Sequence, residues 1–108
     1  MRLSANTKFA DEGSYPEEVF FLLSGSVLKE SSLQNRLGLA DTYLIEGSIF
    51  GETDLLKGRR RTESYSTVSD SYLLALPKDL FNEIMYEFDD FNEEVTNIAQ
   101  EREVLRRQ

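Results

Sequence analysis

The sequence predicts a mainly β domain with C-terminal helices: a β-roll, double-stranded and jelly-roll-like, carrying one short helical turn and followed by two helices. Three observations predict it. Short segments rich in Val, Ile, Leu, Phe, Tyr and Thr recur from residue 7 to residue 76, with turn residues between them, the spacing of an all-β roll or barrel. After Pro77 the apolar period becomes helical, with Leu80, Phe81, Ile84, Met85 and Phe88 on one stripe. The length, 108 residues, suits one core and leaves no room for a second. Residues 1–108 are therefore read as one domain, with the roll over 1–76 and the helices over 77–108.

Taken in order, residues 1–16 are polar and broken by Asn6, Gly13 and Pro16, which predicts a strand fragment at Thr7–Ala10 and a turn at Asp11–Pro16. Val19–Leu23 is a continuous apolar run ending in Ser24-Gly25, the pattern of a buried strand. Ser26–Lys29 resumes as a strand, Glu30–Arg36 is polar without period and reads as a hairpin loop, and Leu37–Ile45 reads as the next strand. Glu52–Leu56 forms one helical turn after Phe50-Gly51, and Lys57–Arg61 is a basic loop bent at Gly58. Thr62–Val68 and Tyr72–Leu76 complete the strands. Asp79 is available to cap the first C-terminal helix. Asp89-Asp90 interrupts the pattern, and Phe91, Val95, Ile98, Ala99 and Leu105 define a second helix with acids early and arginines late, as the helix dipole favours.

Composition excludes several classes of function. A formal net charge of −8 repels nucleic-acid backbone and anionic lipid, so no nucleic-acid partner is expected. The chain has no His and no Cys, which removes the histidine base, the commonest metal ligand, the thiolate metal site and the disulfide framework. The acid pairs Glu17/Glu18 and Glu93/Glu94 read as solvated charge rather than catalytic carboxylates. No nucleophile–base pair or metal cluster can be assembled, so the chain is not read as an enzyme and no cofactor is expected. No apolar run approaches the roughly 20 residues that cross a bilayer.

The informative stretch runs from Phe50 to Ser64, FGETDLLKGRRRTES. Gly51 lets a backbone approach a ligand with no Cβ in the way. The helical turn after it presents N–H groups to a negative charge. An arginine about ten residues later can close such a site with a bidentate fork. Glu52 is out of place in a site for phosphate alone and fits one that also holds a ligand hydroxyl.

This stretch resembles the phosphate-binding cassette of cyclic-nucleotide-binding domains: Phe-Gly-Glu, two variable positions, Leu-Leu, a short loop, then Arg-Thr or Arg-Ala. Phe20–Val27 is similar to the strand–glycine–strand that precedes the cassette in that family, and Gly13 and Gly47 stand where it places turn glycines. The resemblance covers about the whole chain and is greatest to the hyperpolarization-activated and cyclic-nucleotide-gated channels. It implies a ligand, cyclic AMP or cyclic GMP, and a role for each residue of a cassette over 50–62. Gly51 and Thr53 would offer backbone N–H groups to the cyclic phosphate, and Glu52 would hold the ribose 2′-hydroxyl. Arg61 would pair with the phosphate charge, and Thr62 would bond a phosphate oxygen or the purine. Leu44 would pack against the base, and Arg102 would cap it from the last helix.

The resemblance also implies a cytoplasmic regulatory module of a membrane protein, a fragment of a longer chain whose other partner is the pore of a potassium or cation channel, tetrameric in the full-length protein. Binding would be transmitted through the C-terminal helix. The alternative is a ligand-independent interaction domain of the same fold. Asp54 and Glu63 depart from the family pattern, which is small at both positions, and Lys29 and Thr42 are more polar than base-contacting positions usually are. A carboxylate beside the phosphate is repulsive by roughly 1–4 kcal/mol at about 4 Å, so Asp54→Ala is expected to tighten binding unless the side chain turns to solvent, Arg59 or Arg60.

Overall fold

The computed structural model describes residues 1–87. Eight strands form two antiparallel four-stranded sheets. They are β1 (Arg2–Leu3), β2 (Lys8–Ala10), β3 (Glu18–Ser24), β4 (Val27–Glu30), β5 (Thr42–Leu44), β6 (Ile49–Phe50), β7 (Ser64–Thr67) and β8 (Ser71–Pro77). One sheet has the order β1-β8-β3-β6 and the other β2-β7-β4-β5. This is the predicted β-roll, and the described residues also form three short helices: α1 (Ser32–Arg36), α2 (Glu52–Leu56) and α3 (Lys78–Glu87).

The apolar run in β3 is continuous because the strand is covered on both faces. Phe20 and Leu22 point into the core between the sheets, with Val27, Phe50, Tyr65 and Leu73. Val19 and Phe21 alternate to the opposite face and meet Ile49, Leu55, Phe81 and Met85. Four rings centre the first cluster: Phe20 stacks on Phe50 at 5.4 Å, Phe50 lies 4.8 Å from Tyr65, and Phe9 meets Phe20 edge-on at 5.1 Å. The second cluster joins α2, through Leu55, to α3, through Phe81 and Met85. Between β3 and β4 the chain passes from one sheet to the other at Gly25, whose φ is +98°. A Cβ there would lie 2.3 Å from Ser71 Oγ, so only glycine lets the two backbones approach.

Four sequence expectations change. The predicted hairpin loop Glu30–Arg36 contains α1: Ser31 accepts the Gln34 N–H on its side chain and caps the turn. The strand expected over Leu37–Ile45 shrinks to Thr42–Leu44, because Gly38 turns with φ +70° and residues 37–41 are all exposed. The strand after the basic loop begins at Ser64 rather than Thr62, whose N–H is taken by Asp54. Asp79 lies inside α3 and is not its cap; the Lys78 N–H is satisfied instead by the Glu17 carbonyl at 2.7 Å. Strand β1 was not foreseen. The second C-terminal helix expected over Phe91–Leu105 lies outside the described residues.

Candidate ligand-binding site

Phe50, held in the ring cluster, fixes the start of the site. The next residue, Gly51, is buried at φ +83° and forms the N-cap of α2 with no side-chain cap hydrogen bond. Arg61 comes back to it. Its backbone is clamped by the Gly13 turn: Arg61 N–H donates to Ser14 O and Gly13 N–H donates to Arg61 O, each at 2.7 Å. The side chain is then directed inward, leaving the residue 5% exposed. Its Cζ lies 5.4 Å from the Phe20 ring centroid, and Nη2 donates to Glu18 O at 3.3 Å. A Cβ at Gly51 would stand 3.0 Å from Arg61 Nη1; the missing side chain at 51 is the room the guanidinium occupies. Nη1 is buried and has no hydrogen-bond partner. A buried donor without an acceptor is costly, and this one lies beside the N-cap of α2, where an anionic oxygen would satisfy it.

The other cassette residues are brought to the same place. Glu52 is fully buried and Thr53 nearly so, with Thr53 Oγ1 buried and unbonded. Thr62 is exposed, but its donors are in use: N–H donates to Asp54 Oδ2 at 3.1 Å and the hydroxyl to the same oxygen at 3.2 Å. Leu44 is half-buried on β5 against the core cluster, in register with Val27. Arg102 lies outside the described residues.

The two departing carboxylates point inward, not to solvent. Asp54 is 3% exposed and accepts from Arg59 Nε at 2.7 Å as well as from Thr62. It ties the basic loop to α2 through Arg59, the pairing under which its removal is not expected to tighten the site. Glu63 is also buried; its Oε2 accepts from the Tyr65 hydroxyl at 3.1 Å and pairs with Lys29 Nζ at 3.8 Å. Burial pushes the Tyr65 phenol well above its ordinary value, and the negative charges of Glu63, Glu52 and Asp54 push it further. Sequence reasoning missed the Gly13–Ser14 clamp and the Glu18 carbonyl, which are backbone contacts without a residue signature. The Lys29–Glu63 pair carried a signal in period-2 alternation, since Lys29 shares a strand face with buried Val27. Among the described residues no three His, Cys, Asp or Glu are grouped to hold a metal, and no helix is long and apolar enough to cross a membrane.

The family model of the cyclic nucleotide-binding domain matches residues 1–88. The chain belongs to that family. It is similar to the potassium/sodium hyperpolarization-activated cyclic nucleotide-gated channel 3 of Mus musculus, 36% identical over 98 residues that make up 89% of this chain and 11% of the channel. This cyclic nucleotide-binding domain thus spans about a ninth of the curated relatives' length. Its fold is that of the catabolite activator protein of Thermus thermophilus, with a TM-score of 0.81 at 21% identity over 94% of this chain and 49% of that one. The domain described as PKAR CBD2 bound to Sp-2Cl-cAMPS shares it too, with a TM-score of 0.75 at 18% identity over 99% of this chain and 68% of that one. At these identities the two structures speak for the fold alone.

Proposed function

We propose that this domain binds cyclic AMP or cyclic GMP, with the cyclic phosphate seated against Arg61 and the Gly51–Thr53 backbone and the ribose 2′-hydroxyl on Glu52. It acts as a regulatory module rather than an enzyme. The observation that carries the reading is the Arg61 guanidinium, buried beside Gly51 with Nη1 lacking an acceptor. Leu44 packs against the base, Thr62 turns from Asp54 to the ligand, and Arg102 closes over the purine. In the longer protein of which residues 1–108 are one domain, the module belongs to the cytoplasmic side of a tetrameric potassium or cation channel and biases its pore. Support for this comes from the similarity to the mouse channel. The shared cluster of Leu55, Phe81 and Met85 offers a packed connection from the cassette to the C-terminal segment. Nucleotide can shift such a pore only by binding its two states with different affinity.

A second reading is favoured by Asp54. Its carboxylate already holds Arg59 and both donors of Thr62, so the domain would work as an interaction module with its own anion in the cassette. Calorimetric titration of the chain with both nucleotides separates the two. Arg61→Ala should then weaken binding by roughly 1.5–3 kcal/mol, the value of a charge-assisted hydrogen bond, with the thermal transition retained. Unchanged affinity in that variant would remove the cassette assignment.

A further inference from the structure

Strand β4 turns a cation toward the interior of the roll. Val27 is fully buried in the core, Leu28 turns outward beside Lys8, Tyr43 and Ser66 on the outer face, and Lys29 therefore returns to the interior. Its register partners are Thr42 on β5 and Tyr65 on β7. Tyr65 is in the core, and Thr42 shares its strand face with Leu44, the residue proposed to meet the base. The Lys29 side chain is only 21% exposed, and its Nζ stands 3.8 Å from Glu63 Oε2. The Tyr65 hydroxyl holds that same oxygen at 3.1 Å. A half-buried ammonium is helped by a counter-charge, and Glu63 supplies one. At 3.8 Å the contact is an ion pair rather than a hydrogen bond, so it commits none of the three ammonium donors.

We infer that Lys29 reads the purine and selects guanine, making the site one for cyclic GMP over cyclic AMP. The inference rests on the nucleotide-binding reading above and adds the base to it. Guanine presents two adjacent acceptors, O6 and N7, and a lysine beside them is among the commonest specific contacts; adenine presents N7 next to an amino donor, which an ammonium repels. Leu44 gives apolar contact that either purine can use. Glu63 and Tyr65 hold the ammonium in place, so the carboxylate that departs from the family pattern serves the base end of the site.

The test is calorimetric titration of the 108-residue chain with cyclic GMP, cyclic AMP and cyclic IMP, the last keeping O6 and N7 but lacking the 2-amino group. Cyclic GMP and cyclic IMP should both bind more tightly than cyclic AMP, by roughly five- to a hundredfold. The double variant Lys29→Met/Glu63→Gln, which removes the pair without leaving a lone buried charge, should lose this preference, and a cooperative thermal transition reports that it has folded. Equal affinities or a cyclic AMP preference in the unaltered chain overturn the inference whatever the variant does, as does a preference that survives the double substitution. Failure of all three nucleotides to bind, or binding indifferent to Arg61→Ala, instead overturns the proposed function and this inference with it.

Discussion

From Phe50 to Leu55 every residue is buried, whereas from Leu37 to Asp41 every residue is exposed. The first stretch, with the loop that follows, carries Glu52, Asp54, Arg61 and Glu63 inside. The second, with its neighbours, carries Leu33, Leu37, Leu39, Tyr43 and Ile45 outside, each more than half exposed. The ordinary partition of charge to solvent and carbon to core is inverted between them. Buried charge is kept only where each group has a counter-charge, a hydrogen bond or a ligand to meet. The cassette supplies the first two through Arg59–Asp54, Lys29–Glu63 and the bonds to Thr62. The β4–β5 connection has no such requirement, and α1 within it buries none of its residues.

The contrast can be broken most severely at Phe50, the ring that seats the cassette in the core. Phe50→Ala should cost about 3–5 kcal/mol, read as a large drop in the urea midpoint. A change below about 1 kcal/mol would mean that the ring cluster does not anchor the cassette.

Asp54→Ala comes next. It removes the Arg59 ion pair and leaves the Thr62 N–H without its acceptor, so roughly 1–3 kcal/mol of stability should go and nucleotide binding should weaken. Tighter binding in this variant would favour the reading in which Asp54 occupies the nucleotide's donors.

A smaller effect should appear in alkali. The Tyr65 phenol is raised well above its ordinary value of 10.0 in the folded domain, so above that pH the unfolded chain loses a proton that the folded one keeps. Stability should be level below pH 10 on this account, fall as the pH rises from there toward the folded value, and fall less steeply in Tyr65→Phe. Melts across that range measure it.

Least of all should follow from Leu39→Ser in the exposed connection, within about 0.5 kcal/mol by the same melts. A larger loss would show that this stretch is packed against something.

How much of this was legible follows from how each part is made. Gly51, Glu52 and Arg61 lie within a dozen positions, so one short loop is enough to return the guanidinium to the glycine and the helical turn. Strand β3 was legible because its apolar run is long enough to stand out. Helix α1 was not, since five residues with no buried face carry no period, and it depends on one cap from Ser31. Strand β1 has two residues, and its pairing partners, Ser71 and Tyr72, lie at the other end of the roll. The Lys29–Glu63 pair joins two strands that the sequence separates. That Arg61 faces inward depends on Gly13 and Ser14, through backbone bonds that any residues able to make that turn would form.

Strand β3 zips to β8, residue 18 to 77 and residue 24 to 72. The longest ladder among the described residues thus closes over about half of the chain, and loop-closure entropy has to be met before that ladder repays it. Such topologies fold in milliseconds to seconds rather than microseconds. On the ribosome the ladder cannot form until Pro77 has left the exit tunnel. Until then β3, with Val19, Phe20, Phe21 and Leu22, is an apolar strand with an open edge, the kind of segment that chaperones bind and that aggregates nucleate on. Substitutions in β8 that leave the folded cassette untouched should therefore lower the yield of folded protein in the cell by prolonging that interval.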